Sequence, residues 1–543
     1  MEKQIKGNIV DIYSRRIYPG VVHIEDEKIL YIEECRDEKF ECYILPGFID
    51  AHVHIESSML IPSEFSKLIL QKGTVAIVND PHEIANVLGI DGINFMIKNS
   101  KEASVKAFFT IPSCVPATNF DHSGSFLNSN DIEQLIQSAE FIGLSEMMNV
   151  PGVLFHDPET LRKIKIVRSQ QKIIDGHAPG LRGEDLVNYI QEGITTDHES
   201  VSLDEAIEKI TNGMKILIRE GSAAKNYEAL KSLIVKYPDH VMFCTDDSHP
   251  NDIIQCGHID KIVKAAISDG FDLFDVLKIA CINPIQHYHL NVGTLREGEN
   301  ADFIVVSDLK SFEVLSVYID GEEKLKMENS VDSHHLVSVG TLNKFNRDFI
   351  SIEDLRKPLV GCQYCIGVKD GEIITSKESF VLDAPTVNFE SDVENDILKI
   401  VYLNRYQNKI PQIAYIHGIG LKRGAYAASI SHDSHNIIAV GVTDSDLLKS
   451  INAVIEQKGG LSVVEGDRTM VLPLPIAGIM TDKSGYEVAE MWIKLIDELH
   501  QMGCVLSSPF MTLSFMALIV IPELKIGERG LFEYNKFNFI SEC

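Results

Sequence analysis

Histidine and carboxylate side chains recur in the first half of the chain at the ends of short apolar segments. His52 and His54 flank a single valine in the run His-Val-His. In an extended strand this spacing directs both imidazoles to the same face. Imidazole and carboxylate ligands suit Zn, Fe or Mn, and ligand identity alone does not choose among these metals. The other residues that could join such a site are Glu146, His177, His198 and Asp246.

The segments that carry these residues alternate with helical patterns from about residue 46 to residue 290, as parallel βαβ units do. The helical patterns include Phe65, Leu68 and Ile69 after the first segment, and Ser202 as a cap before a later helix. Eight β-rich runs predict a (β/α)8 barrel. They span 48–54, 74–80, 106–112, 141–147, 172–178, 193–198, 214–221 and 240–247.

The six candidate ligands share one position in this predicted barrel, the C-terminal ends of the strands. Barrel enzymes build their active sites at that face. A lone histidine in a β-rich run is usually structural, but six residues of metal-ligand type at matching strand ends indicate a metal site. They belong to strand one (His52, His54), strand four (Glu146), strand five (His177), strand six (His198) and strand eight (Asp246).

The remaining parts of the chain are predicted to form two further domains. Residues 1–45 and 291–349 alternate apolar and polar positions and are expected to build one small β-domain beside the barrel of residues 46–290. Residues 350–543 are expected to form a C-terminal α+β domain that covers the active site, with a hairpin at 366–375 and a helix over 484–502. The predicted fold class is α/β, a metal-dependent hydrolase barrel with these additions.

The amino-acid composition limits the kinds of molecule that this chain is expected to bind. The chain has 543 residues and a formal net charge of −29, which opposes binding to polyanions, so no nucleic acid partner is expected. No apolar run has the length of a signal peptide core or a membrane helix, so no membrane association is expected. The ten cysteines are scattered as in a protein of a reducing compartment, and the spacing of Cys362 and Cys365 is attributed to chance. We therefore expect a cytoplasmic location.

Seven segments, in order along nearly the whole chain, resemble the adenine deaminase family of amidohydrolases. The extension HIESSM of the first segment is similar to this family in particular. Seven ordered matches are far more specific than a single His-x-His. The segments are LPGFIDAHVHIESSML (45–60), NDPHEIANVLG (79–89), LSEMMNVPGV (144–153), DGHAPGL (175–181), TTDHES (195–200), CTDDSHP (244–250) and SHDSHNIIAVG (431–441).

The resemblance implies hydrolytic deamination of adenine to hypoxanthine and ammonia, a reaction of purine salvage, with adenine and water as substrates. It also implies that His52, His54 and Asp246 hold one metal ion and that His177 and His198 hold the other. Many amidohydrolases bridge their two metals with a carboxylated lysine, but this chain resembles adenine deaminases in offering Glu146 there. Mn²⁺ or Fe²⁺ is expected, and Zn²⁺ would also suit these ligands.

Two ions about 3.5–4 Å apart lower the pKa of a shared water enough to supply hydroxide at neutral pH. Asp246 is the expected base and proton shuttle. Glu83, just past strand two, is a candidate donor to a purine ring nitrogen if burial raises its pKa, although a helix-start carboxylate is the alternative. Asp247 is a candidate contact to the purine ring, or else a helix-capping carboxylate.

Further residues are expected to contact the substrate. His249 follows strand eight, and Arg219 and Glu220 follow strand seven. His432 and His435 in the run Ser-His-Asp-Ser-His-Asn are expected to form part of a lid over the substrate, with a surface loop as the alternative.

Two other functions stay open. A cyclic amidase of the hydantoinase or dihydroorotase kind would use the same barrel and the same hydroxide. A non-catalytic protein that only binds metal would need the same ligand residues but would show no turnover. A homo-oligomer, a dimer or larger, is expected in each case.

Overall fold

The computed structural model describes residues 3–326, 342–387 and 389–540. Residues 327–341 of the predicted β-domain lie outside this description. The chain starts with strands β1 (Lys3–Asp11), β2 (Arg16–Glu25), β3 (Lys28–Glu34) and β4 (Tyr43–Pro46). β1 to β3 pair as consecutive antiparallel strands, and β4 runs parallel to β1. The inner face of this sheet is buried and includes the side chains of Ile9, Val22 and Ile44.

The barrel prediction is confirmed, because each of the eight β-rich runs contains a parallel strand. Most of these strands are rich in buried apolar residues, as strands covered on both faces are, whereas the sixth is formed by Thr196 and Asp197 alone. The eight strands are β5 (Phe48–Val53), β6 (Thr74–Asn79), β7 (Lys106–Ile111), β8 (Phe141–Met147), β9 (Ile173–Gly176), β10 (Thr196–Asp197), β11 (Lys215–Arg219) and β12 (Val241–Cys244).

Helices surround the barrel strands. The predicted helix after β5 is confirmed, and the helix after β10 begins directly after Ser202, although the Ser202 side chain makes no capping hydrogen bond. The helices are α1 (Pro62–Leu70), α2 (His82–Leu88), α3 (Ile90–Ser100), α4 (Ser129–Leu135), α5 (Val150–Leu154), α6 (Pro158–Ser169), α7 (Gly183–Gln191), α8 (Leu203–Thr211), α9 (Tyr227–Leu230), α10 (Leu233–Lys236), α11 (Pro250–Cys256), α12 (Ile259–Ser268), α13 (Leu273–Leu277) and α14 (Asn283–Tyr288).

The barrel closes beside the predicted ligands. The main-chain N–H of Asp246 donates to His52 O (3.0 Å), and the N–H of His54 donates to Asp246 O (3.1 Å). Asp246 has a φ of 57°, a left-handed conformation that aspartate tolerates better than most residues. The last strand thus joins the first through the residues whose side chains were predicted to bind metal.

After the barrel, strands β13 (Phe303–Val306), β14 (Val314–Ile319) and β15 (Glu322–Lys326) return to the N-terminal sheet. β13 pairs antiparallel with β4, giving one seven-stranded sheet of order β15-β14-β13-β4-β1-β2-β3. Strands from both sides of the barrel therefore share a sheet.

The rest of the chain builds an eight-stranded sheet of order β17-β16-β19-β18-β21-β20-β22-β23 and a three-stranded sheet. Its strands are β16 (Leu359–Gly367), β17 (Ser376–Thr386), β18 (Leu398–Leu403), β19 (Gln412–His417), β20 (Ala425–Ala428), β21 (Ile437–Gly441), β22 (Gly460–Glu465), β23 (Arg468–Pro473), β24 (Leu524–Gly527), β25 (Gly530–Glu533) and β26 (Asn538–Phe539). Its helices are α15 (Asp444–Glu456), α16 (Gly485–Gln501) and α17 (Pro509–Phe515).

Two expectations for this C-terminal part are tested directly. The helix predicted over 484–502 is confirmed as α16, which Ser484 caps at its N-terminus. The hairpin predicted at 366–375 is wrong in extent: β16 and β17 do pair antiparallel, but most of that segment is the loop between them. Cys365 is a buried free thiol, so it does not form a disulfide with Cys362.

The C-terminal part packs against the barrel. The main-chain N–H of Thr481 donates to Met59 O (2.8 Å), which ties the segment before α16 to the loop after β5. A Cβ on Gly485 would lie 2.6 Å from Leu68 Cδ1, so α16 can approach α1 this closely only with glycine at that position. No helix among the described residues is long and apolar enough to cross a membrane.

Candidate metal centre

The six predicted ligands converge at the C-terminal face of the barrel. His54 Nε2 lies 3.1 Å from Asp246 Oδ1 and 3.3 Å from Glu146 Oε1. His52 Nε2 lies 3.5 Å from the same Asp246 oxygen. The rings of His52 and His198 stack with centroids 4.4 Å apart. Residues distant in sequence are therefore brought within ligand distance of one another.

Glu146 lies between the two groups of histidines. One of its oxygens, Oε1, faces His54, while Oε2 lies 2.8 Å from His177 Nδ1 and 3.3 Å from His198 Nε2. Burial opposes ionisation of Glu146, but hydrogen bonds with the three histidines lower its pKa well below the usual range. An ionised carboxylate with one oxygen toward each group has the arrangement of a bridging ligand.

The structure adds residues that the sequence analysis missed. Glu199 Oε1 lies 3.2 Å from His198 Nε2 and 3.6 Å from His177 Nδ1. His82 Nδ1 lies 3.0 Å from Asp80 Oδ2 and 3.7 Å from Glu146 Oε1. Asp80, His82 and Glu199 all fall inside the motifs quoted above.

Arg219 connects two of the carboxylates. Its guanidinium makes two hydrogen bonds to Glu199, of 2.5 and 2.9 Å, and one of 2.5 Å to Asp246 Oδ2. Burial opposes ionisation of Asp246, yet its pKa lies well below the usual range because Arg219 and the two strand-one histidines stabilise the charged form. Arg219 was predicted as a substrate contact; in the structure its guanidinium holds Asp246 and Glu199 in place.

Glu83 joins the barrel to the C-terminal part of the chain. His432 Nδ1 lies 2.6 Å from Glu83 Oε1, and His435 Nε2 is in close contact with Oε2. Burial alone would raise the pKa of Glu83, but the neighbouring histidines lower it well below the usual range. Burial favours neutral His432, but the Glu83 charge outweighs it and raises the pKa of His432 to about 9. The raised pKa that Glu83 would need as a proton donor is therefore not found, because the histidines outweigh burial.

The other predicted substrate contacts differ in position. Asp247 lines the cavity beside the cluster, and its carboxylate accepts a hydrogen bond from Ser57 Oγ. His249 is buried with Nδ1 3.0 Å from Ser57 O and its ring against Trp492. Glu220 accepts from the main-chain N–H of Tyr227 and does not line the cavity. The structure thus brings Asp247 to the cluster but not Glu220.

Apolar side chains from the C-terminal part close the opposite side of the cavity. They are Ile373, Phe515, Leu518 and Ile521. The Phe515 ring stacks on His432 with centroids 4.8 Å apart. The barrel therefore supplies most of the polar lining and the C-terminal part most of the apolar lining, although the C-terminal part also contributes His432 and Asp433.

The chemistry of the donor set fits divalent cations. Several groups of three or four His, Asp and Glu ligand atoms lie within 4.8 Å of one another, among them His52, His54 and Asp246, and His177, His198 and Glu199. Six carboxylates line the cavity, with Arg219 as a fixed positive charge among them. Buried carboxylates in this excess need further positive charge, which two divalent ions would supply.

Sequence comparisons agree with this arrangement. The model of the amidohydrolase family matches residues 43–324, and that of the adenine deaminase C-terminal domain matches residues 372–538. Adenine deaminases of Methanosarcina mazei and Methanosarcina acetivorans are 49% and 50% identical to this chain, and the alignments cover 99% of each protein. The adenine deaminase of a Sulfurovum species is 49% identical, again with 99% of both chains covered.

The barrel and its buried ligand cluster define a metal-dependent hydrolase of the amidohydrolase class. Within that class, the chain belongs to the adenine deaminase family.

Proposed function

We propose that this chain catalyses the hydrolytic deamination of adenine to hypoxanthine and ammonia. The observation that carries this function is the full-length similarity to adenine deaminases, at 49–50% identity to the two Methanosarcina enzymes. It includes the C-terminal part, whose His432 contacts Glu83 of the barrel. A cyclic amidase is not favoured, because the C-terminal match is specific to adenine deaminases.

The proposed cofactor is a pair of divalent ions, Mn²⁺ or Fe²⁺ in preference to Zn²⁺. His52, His54 and Asp246 would hold one ion, His177 and His198 the other, and Glu146 would bridge them. When bound, such ions lower the pKa of water enough to provide a hydroxide nucleophile near neutral pH.

Asp246 is proposed to move the proton of the attacking water. Arg219 hydrogen-bonds Oδ2, so Oδ1, which faces His54 and His52, is the oxygen directed toward the metal site and the attacking water. From Oδ1 the proton can pass to the departing amine, which leaves as ammonia. Arg219 fixes the orientation of Asp246 for both transfers.

Glu83 and His432 are proposed to supply the proton that a purine ring nitrogen gains during attack at C6. His432 carries that proton, because the charge of Glu83, whose Oε1 lies 2.6 Å from Nδ1, raises the pKa of His432 to about 9. Both residues line the cavity that Asp246 also lines. Asp247, which follows β12, is proposed to contact the purine ring.

Turnover of adenine by the purified, metal-loaded protein tests this function. We expect equal amounts of hypoxanthine and ammonia, and no ring opening of hydantoin or dihydroorotate. His54→Ala and Glu146→Ala should each abolish ammonia release while the circular dichroism spectrum stays that of the wild type. Hydrolysis of a cyclic amide without ammonia from adenine would favour the amidase instead.

A homo-oligomer is also proposed. Phe155, Val381 and Ile410 are exposed large apolar side chains that contact with another subunit would bury. We expect a dimer or larger homo-oligomer in light scattering. The cytoplasmic location stays a prediction.

A further inference from the structure

We propose that Asp433 is the hydrogen-bond acceptor that recognises the imidazole N–H of free adenine and thereby rejects purines substituted at that nitrogen. This inference rests on the proposed function and deepens it by assigning the residue that sets substrate specificity. Asp433 belongs to the C-terminal part of the chain, in the loop between β20 and β21.

The loop that carries Asp433 is held in place on all sides. The N–H of His432 donates to Ser514 Oγ (3.2 Å), and the N–H of His435 donates to Ser431 O (2.7 Å). The side chain of Asn436 donates to His122 O (2.9 Å), which anchors the loop to the barrel. Such anchoring fixes the direction of the Asp433 carboxylate before any ligand arrives.

The carboxylate of Asp433 faces the cavity without satisfied hydrogen bonds. The residue is 5% exposed, and Oδ2 has no hydrogen-bond partner among the described residues. Two neighbouring histidines are too distant for hydrogen bonds, since Oδ1 lies 3.9 Å from His82 Nε2 and 3.8 Å from His432 Nδ1. Buried carboxylates are normally hydrogen-bonded, so an orphaned one that lines a cavity is placed to meet a donor on a ligand.

Asp433 and Glu146 lie at opposite nitrogens of the His82 ring. One nitrogen of His82 lies 3.7 Å from Glu146 Oε1, and the other lies 3.9 Å from Asp433 Oδ1. The His82 ring therefore separates Asp433 from the carboxylate that faces the reacting end. A purine with C6 at the Glu146 end directs its five-membered ring toward Asp433. Apart from the amine that leaves, the ring N–H of this five-membered ring is the N–H donor of adenine.

The apolar wall of the cavity supports the same orientation. Phe515, Leu518 and Ile521 line the same cavity as the barrel cluster and Asp433. Flat apolar and aromatic surfaces bind the face of a base, while a few polar groups at its edge determine orientation. The wall therefore binds any purine, and the carboxylate selects one that carries the N–H.

A carboxylate acceptor discriminates because a substrate without the N–H leaves it unpaired in a buried site. A purine alkylated at N9 both lacks the donor and places a carbon against the oxygen. The same argument excludes nucleosides, whose sugar occupies N9.

The test compares adenine with 9-methyladenine on the full-length, metal-loaded protein. The wild type should prefer adenine in kcat/KM by at least ~1,000-fold. In Asp433→Ala the KM for adenine should rise about 10- to 100-fold with little change in kcat, and the preference for adenine should fall by a similar factor. Asp433→Asn keeps an amide oxygen that can accept, so its losses should be intermediate.

The matched control is Ser431→Ala, in the same loop. Ser431 is 1% exposed, its hydroxyl also lacks a partner, and it does not line the cavity, so both kinetic constants should stay at wild-type values. Metal content and hypoxanthine binding, measured by calorimetry, give readouts independent of turnover. Asp433→Ala should retain two metal ions and bind hypoxanthine about 10- to 100-fold more weakly.

An unchanged preference for adenine in Asp433→Ala would overturn the inference. So would an equal loss for both substrates, or loss of one metal ion, since either would indicate a different role. If Asp433→Ala fails to fold, Asp433→Asn carries the same comparison. A wild-type protein that releases no ammonia from adenine would contradict the proposed function itself. If the wild type is active but substitution of Asp433 leaves the preference for adenine unchanged, only this inference is contradicted.

Discussion

Individual side chains beneath the cluster hold its histidines in position. Lys209 is fully buried, and its ammonium lies 2.9 Å from Asp197 Oδ2 and 2.7 Å from Glu205 Oε1. Asp197 Oδ1 accepts from the N–H of Ala178 (2.9 Å). Ala178 follows His177, and Asp197 precedes His198. The ion pair between Lys209 and Asp197 therefore fixes the backbone beside both histidines.

Replacing Lys209 by methionine should therefore affect both stability and metal binding. Removal of one partner of a buried ion pair leaves an uncompensated charge and costs about 3–5 kcal/mol. We expect a lower free energy of unfolding in urea and weaker binding of the ion held by His177 and His198. Lys101→Met is the control, because Lys101 pairs with Glu140 at the surface, where the cost is about 0–1 kcal/mol. Equal effects of the two substitutions would contradict this role.

Lys525 gives a prediction for the dependence of stability on pH. It is fully buried with its ammonium hydrogen-bonded to Ile373 O (2.8 Å), and burial lowers its pKa to about 7. Between pH 7 and about pH 10 the unfolded chain binds more protons at this lysine than the folded chain, so its contribution makes stability rise with pH. Each pH unit in this window is worth about 1.4 kcal/mol.

Lys525→Met removes that dependence. The variant should be more stable than the wild type at pH 7, by about 3–5 kcal/mol, and the difference should shrink toward pH 10. Chemical unfolding at several pH values measures it, with the exposed Lys494→Met as the control. A difference that stays constant with pH would contradict the lowered pKa.

The residue types of the metal site could be predicted, but several members of the site could not. His52 and Glu146 stand at strand ends, where the fold fixes their direction. Glu199 lies two residues after β10 and His82 three residues after β6, so the strand pattern alone does not fix where these side chains point. Asp433 reaches the cavity only because the C-terminal part packs on the barrel, and no local pattern encodes that contact.

At the scale of elements, the barrel strands were the most predictable part. Most of the parallel strands are short apolar runs between helices, so their positions follow from that pattern, although β9, β10 and β12 are shorter than the predicted runs. The hairpin near 366–375 was not predictable in extent, because its strands continue in both directions from the turn residues. The assignment of residues 1–45 with 291–349, 46–290 and 350–543 to three domains stays a prediction.

The contact between α1 and α16 gives a prediction at this scale. A side chain at Gly485 would collide with Leu68, so Gly485→Val should separate the two helices. Overpacking of this kind costs about 1–3 kcal/mol. We expect a thermal midpoint several degrees lower, while Glu490→Ala, on the exposed face of α16, should change it little. An unchanged midpoint for Gly485→Val would show that the helices do not pack this closely.

Over the whole molecule, a strongly acidic chain concentrates carboxylates in one buried cavity. The formal net charge of −29 makes the chain a poor partner for polyanions, and the six carboxylates of the cavity repel one another unless cations are present. Metal ions that bind the folded state alone also raise its stability.

Chelation should therefore lower the thermal midpoint of the whole protein. Dialysis against a chelator is expected to reduce the midpoint by several degrees, and addition of Mn²⁺ is expected to restore it. The double variant His54→Ala with His198→Ala should not respond to Mn²⁺, and a wild-type midpoint independent of metal would contradict a metal site in this cavity.

The most direct test of the account is ammonia release from adenine as the metal-free protein is titrated with Mn²⁺ or Fe²⁺. We predict no release without metal, a rise to a maximum at two ions per chain, and one hypoxanthine formed for each ammonia. Full activity in the metal-free protein, or no ammonia from adenine at two ions per chain, would contradict it.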